Sequence, residues 1–168
     1  MCGFLAYIGD NLNSKRLESG LSSILHRGPD SSRILKQKNF AFGFNRLAIQ
    51  DLSDKSMQPM IDFYGNSIIY NGEIYNFKEI KKELESIGYK FKTNGDVEVI
   101  MKSILEWGFE KSLNKFEGMF AIIYYSKKEN RVYACRDCFG IKPIFYSFLS
   151  KKEILFSSEI KAIAKYKD

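Results

Sequence analysis

The chain has 168 residues, 45% of them hydrophobic and 27% charged, the size and composition of one globular domain. Its net charge of +6 comes mostly from scattered lysines, with no block of like charge, no basic stripe and no nucleic-acid-binding module, so no nucleic-acid partner is expected. Three cysteines argue against a disulfide framework, and neither a secretory opening nor an apolar run of ~18 residues occurs. The expectation is a cytoplasmic protein without membrane contact.

Met1-Cys2-Gly3 opens the chain. If Met1 is removed, Cys2 carries a thiol nucleophile and, in its own α-amine of pKa roughly 8, a base. Residues 3–8 form a short apolar run ending at Gly9-Asp10, which predicts a buried strand with Cys2 at the edge of a sheet. Asn13 or Ser14 can cap a helix with Leu17, Leu21, Ile24 and Leu25 on its apolar face. That helix stops at His26-Arg27-Gly28-Pro29-Asp30. His26, the sole histidine, reads as structural at this crowded helix exit rather than as the base of a triad.

Segments 33–36 and 40–45 predict a hairpin, followed by Arg46-Leu47-Ala48-Ile49-Gln50-Asp51-Leu52 and a loop to Gln58-Pro59-Met60. Segments 61–64 and 67–70 predict a second hairpin with Gly65-Asn66 at its tip, and its outgoing strand delivers Asn71-Gly72-Glu73 at a strand end. Phe77, Ile80, Leu84 and Ile87 define a helix ending at Gly88. The next helix buries Val97, Ile100, Met101, Ile104 and Leu105, with Asp96 as its N-cap. Segments 119–125 and 131–135 predict another hairpin, 143–148 and 154–156 two more strands, and a short helix starts near Ser158. Hairpins flanking a central pair of helices point to an α+β sandwich of antiparallel sheets rather than βαβ units.

No phosphate-binding glycine loop occurs, and Cys135-x-x-Cys138 lacks the second pair a zinc ribbon needs; no cofactor or metal is expected in this domain. One set of residues makes sense around an amino-acid ligand. Arg46 has the fork to grip a carboxylate, Asp96 suits an α-ammonium as well as a cap, and the Asn71 amide with the Gly72 N–H suits an oxyanion. With Cys2 they fit a thiol acting on an amide.

Met1-Cys2-Gly3, Arg27-Gly28-Pro29-Asp30, Arg46-Leu47-Ala48-Ile49, Gln58-Pro59-Met60, Asn71-Gly72-Glu73-Ile74-Tyr75-Asn76 and Gly95-Asp96 resemble the glutaminase domain of class II glutamine amidotransferases. Gly118-Met119-Phe120-Ala121, Arg136-Asp137, Gly140-Ile141-Lys142-Pro143 and Ser158-Glu159-Ile160-Lys161-Ala162 resemble its asparagine-synthetase branch. The resemblance implies an N-terminal nucleophile hydrolase fold, a four-layer αββα sandwich over residues 1–168. It implies Cys2 as nucleophile, Asn71 and Gly72 as oxyanion hole, and Arg46, Glu73, Asp96 and Ile49 around glutamine. It further implies that ammonia passes to an ATP- and Mg-using synthetase domain absent from this chain, and a full-length protein able to form a homodimer. The expectation is therefore an excised glutaminase half of an asparagine synthetase. The alternatives are an inactive docking or regulatory module, or a glutaminase serving a sugar-acid or peptide acceptor.

Overall fold

The computed structural model describes residues 1–49 and 51–168; Gln50, within the predicted 46–52 segment, lies outside the described residues. The strands are β1 (Gly3–Ile8), β2 (Ser31–Lys36), β3 (Phe40–Arg46), β4 (Met60–Ile61), β5 (Ser67–Ile74), β6 (Gly118–Ser126), β7 (Arg131–Arg136), β8 (Phe145–Ser150) and β9 (Glu153–Ser157). The helices are α1 (Ser14–Ser23), α2 (Phe77–Ser86), α3 (Asp96–Trp107), α4 (Phe109–Leu113) and α5 (Ile160–Lys167). A five-stranded sheet in the order β2-β3-β1-β9-β8 faces a four-stranded sheet in the order β4-β5-β6-β7. Every neighbouring pair is antiparallel.

Strand alternation distributes side chains among three apolar layers. Along β1, Phe4 and Ala6 enter the layer between the sheets, where they meet Phe42, Phe44, Ile69, Ala121 and Ile123. Leu5 and Tyr7 point to the opposite face, against Leu17 and Leu21 of α1 and Ala162 and Tyr166 of α5. Both faces of β1 are thus covered, which explains an uninterrupted apolar run in an antiparallel sheet. On the second sheet, Ile68, Tyr70 and Ile74 of β5 face outward, against Ile80 and Leu84 of α2 and Val97, Ile100 and Ile104 of α3. The layer order is therefore helices, sheet, sheet, helices, as predicted.

Several local expectations are corrected. Cys2 precedes the middle strand of its sheet, not an edge, because β9 returns from the far end of the chain to pair with β1, Leu5 opposite Ser157. The strand predicted over 61–64 is only Met60–Ile61, since the Asp62 carboxylate accepts the N–H groups of Tyr64 and Asn66 and folds the chain into a turn. β5 instead runs on to Ile74, so Asn71 and Gly72 are inside a strand, opposite Ala121 and Phe120. Gly95 caps α3 and Asp96 is its first helical residue, with its carboxylate turned to other donors. Leu105 is 38% exposed, off the buried stripe. The short helix α4 was not predicted.

Candidate active site

The site is the open end of the inter-sheet layer. Alternation along β1 puts Cys2 on the same face as Phe4 and Ala6, and alternation along β5 puts Asn71 and Glu73 on the face of Ile69. Phe44 and Arg46 reach the same layer from β3. A cleft of about 210 Å³ results, lined among others by Cys2, Arg46, Asn71, Gly72, Glu73 and Asp96. Ile49 also lines it, with 73% of its surface exposed at the mouth. All seven residues proposed from sequence for the site are brought to this one cleft.

Cys2 is held by both ends. Its carbonyl accepts Arg27 Nε at 3.0 Å, and Sγ lies 3.3 Å from Leu47 N and 3.6 Å from Leu47 O. Burial pushes the thiol above its ordinary value, while the Leu47 contact, the chain terminus, Arg46 and Arg27 pull it down. Removing its proton therefore calls for a base at hand. Arg27 in turn pairs with Glu159 at 3.2 Å, and His26 reaches the same carboxylate at 3.0 Å. His26 is thus a surface partner of Glu159, in keeping with a structural reading. The turn after α1 can follow this path only with Gly28, where a Cβ would lie 2.2 Å from Asn45 O.

Arg46 is 7% exposed, and its guanidinium donates to Ser53 O at 3.0 Å and to Asp51 O. These bonds orient the fork at the cleft wall. Asp51 secures the same loop: its carboxylate accepts Asn94 N, Ser53 N and Ser56 Oγ, and the Asn94 and Ser53 bonds hold it well below the usual carboxylate range. Asn45, next to Arg46, turns the other way. Its amide donates to Leu21 O and accepts from Ser32 Oγ, on the helical side of the sheet.

On the facing strand, Tyr70 N donates to Gln58 Oε1 at 2.6 Å and Ile74 N donates to Asp96 Oδ2 at 3.1 Å. Both N–H groups point away from β6, so alternation directs the Gly72 N–H to the same open edge. A side chain is excluded there: a Cβ on Gly72 would lie 2.2 Å from Met119 O. Among the described residues, Asn71 Nδ2 is a buried nitrogen without a hydrogen-bond partner. Buried polar atoms are nearly always paired, so this amide has donors in reserve for a ligand.

Asp96 is 7% exposed and accepts from the Tyr70 hydroxyl at 2.7 Å as well as from Ile74 N. Burial raises it above the usual carboxylate range, with those two donors pulling it back. A buried, desolvated carboxylate at the cleft wall is suited to a cation. Sequence reasoning assigned no role to Tyr70, Gln58, Asp51 or Lys142, all of which line the cleft. Gln58 and Lys142 stood inside recognised motifs, but nothing in their spacing reveals that they face the same opening.

Cys135 packs on the outer core of the second sheet, and burial raises its thiol to about 12; Cys138 is exposed. Among the described residues no group of three or more His, Cys, Asp or Glu could hold a metal, and no helix is long and apolar enough to cross a membrane.

The chain is 34% identical over 97% of its length to asparagine synthetase [glutamine-hydrolyzing] 1 of Bacillus subtilis and 38% identical over 97% to asparagine synthetase [glutamine-hydrolyzing] 2 of the same organism. It spans only 26% and 22% of the lengths of those proteins. Among solved structures, the glutamine phosphoribosylpyrophosphate amidotransferase of B. subtilis complexed with ADP and GMP superimposes with a TM-score of 0.85 at 21% identity, covering 99% of this chain and 44% of that one. That likeness establishes the fold, a four-layer sandwich of two antiparallel sheets between helices. Residues 1–168 match the glutamine amidotransferase domain, and the chain belongs to that family.

Proposed function

We propose that residues 1–168 form one glutaminase domain that hydrolyses the side-chain amide of glutamine and supplies ammonia to an ATP-dependent synthetase outside this chain. The observation that carries this reading is Asn71 Nδ2, buried and without a partner among the described residues, in the cleft that Cys2 lines. It is what an oxyanion donor looks like before its ligand arrives.

Removal of Met1 frees the Cys2 α-amine. Arg46 then grips the glutamine α-carboxylate and Asp96 its α-ammonium, with Ile49 at the mouth and Glu73 holding the substrate by its main chain or carboxylate. The α-amine takes the thiol proton as sulfur attacks the side-chain carbonyl carbon, and the oxyanion is met by Asn71 Nδ2 and the Gly72 N–H. The C–N bond breaks as the amine returns that proton to the departing ammonia. Water, deprotonated by the same amine, then cleaves the γ-glutamyl thioester to give glutamate and regenerate the thiol.

The asparagine synthetases similar to this chain support aspartate as the ammonia acceptor. ATP and Mg belong to the synthetase in this reading, and no step above runs through them. The test is intact mass to establish loss of Met1, followed by ammonia release from glutamine by the processed protein and by Cys2→Ala. Release by the processed protein and none by the variant is expected. Equal release from both overturns the proposal.

A further inference from the structure

Lys142 is 5% exposed, yet its ammonium ends at the cleft against the residue that the proposed chemistry discards: Nζ donates to Met1 Sδ at 2.8 Å. A thioether is a weak acceptor for a cation. The lysine is fixed from behind. Its own N–H donates to Asp137 Oδ2 at 3.0 Å, and the same carboxylate accepts the N–H groups of Phe120, Phe139 and Ile141. The turn therefore holds Lys142 at the rim whether or not Met1 is present.

The charges facing this spot come from five elements. Arg27 lies in the turn after α1, Arg46 on β3, Glu73 on β5, Asp96 at the start of α3 and Asp137 after β7, with the Cys2 thiol between them. Burial and Arg27 push Lys142 below the usual lysine range, while Glu73, Asp137 and Cys2 pull it up. Arg27 is engaged through Nη1 by Glu159 and through Nε by Cys2 O, with its Nη2 buried and without a partner among the described residues; Arg46 is engaged by two backbone carbonyls and Asp137 by four N–H groups. Among the described residues, Lys142 is the cation whose side-chain hydrogen bond is lost when Met1 leaves.

Resting on the glutaminase reading above, we propose that Lys142 is a positioning residue whose ammonium faces the freed Cys2 α-amine and keeps it neutral, ready to accept the thiol proton. Two ammonium groups at one partly dry rim repel, and a like charge nearby disfavours the protonated form. The α-amine, ordinarily near 8 against roughly 10.4 for lysine, is the group that yields its proton. Without that neighbour most of it is protonated at pH 7 and cannot serve as base.

The test uses protein shown by intact mass to have lost Met1. The pH dependence of kcat/KM for ammonia release is measured for the native chain, Lys142→Met, Lys142→Gln and Lys142→Arg. Both neutral variants should fall roughly ten-fold at pH 7, with the acid limb displaced to higher pH and the deficit closing in alkali; Lys142→Arg should restore the limb. Carbamoylation of the Cys2 α-amine by cyanate, which needs the neutral amine, should slow in the neutral variants at pH 7. An equal loss at every pH would mark a merely structural residue and overturn the proposal, as would an unmoved acid limb. Cys2→Ala separates the two readings. If it is inactive while Lys142→Met keeps the native limb, only the role of Lys142 falls; if it still releases ammonia, the glutaminase reading falls and this one with it.

Discussion

The Tyr70 hydroxyl donates to Asp96 Oδ2 at 2.7 Å, tying the middle of β5 to the first turn of α3 with both residues buried. Ile74 N adds a second donor to the same oxygen. The pair fixes a carboxylate where α3 begins, a helix N-terminus that itself favours negative charge. Burial nevertheless dominates and leaves Asp96 above its usual range.

This makes Asp96 a buried charge held at the expense of stability. Its folded-state pKa is raised, so its contribution to stability is full below the unfolded value of roughly 3.9 and is lost as pH rises through the folded value. At neutral pH, Asp96→Asn removes a desolvated charge while its Oδ1 still accepts from Tyr70 and Ile74. The variant should melt higher than the native protein at pH 7, and the gain should shrink toward pH 4. Ammonia release at low glutamine should fall roughly 30-fold or more, the usual consequence of losing one member of a buried charge pair. A gain in Tm that is the same at both pH values would contradict the assignment of burial as the cause.

Asn71→Ala should separate turnover from folding. Its Nδ2 is buried and has no partner among the described residues, so truncation removes little that holds the protein together. Loss of an oxyanion donor typically lowers kcat by ~100 to 1,000-fold. Steady-state ammonia release and thermal unfolding together check this: the rate should collapse and the Tm should stay level or rise. A near-native rate would remove Asn71 from the oxyanion hole.

Asp137 is 3% exposed, and its carboxylate gathers four backbone N–H groups around the turn that carries Lys142. Burial alone would raise its pKa, but the N–H groups of Lys142, Ile141, Phe120 and Phe139 together hold it below the usual range. A depressed folded value means stability that is present above roughly pH 4 and lost as pH falls through the folded value. Asp137→Ala leaves buried donors unpaired and should cost about 3 kcal/mol in urea unfolding at pH 7. The variant should also lose less further stability than the native chain below pH 4. An unfolding midpoint unchanged at pH 7 would show that water replaces the carboxylate.

Particular residues show how far the sequence reaches. The β1 run, the α1 and α2 periodicities and the hairpin around Lys127–Asn130 were legible because local alternation and helical spacing record which faces are covered. The length of β4 was not, since the Asp62 carboxylate captures two N–H groups that a strand would have used. Asp96 read as a cap because local geometry allows it; its actual donors sit 22 and 26 residues away.

By itself the sequence determined the layered α+β architecture, the family and a set of side chains that the structure brings to one cleft, since composition, periodicity and ordered motifs all survive in one dimension. Only the tertiary structure decided that Cys2 precedes a central strand, that Asn71 Nδ2 is buried without a partner among the described residues, and that Lys142 meets Met1 from 141 residues away. These depend on which strands pair and which faces enclose the cleft. Desolvation and charge coupling arise from that enclosure, and residue spacing along the chain does not encode them.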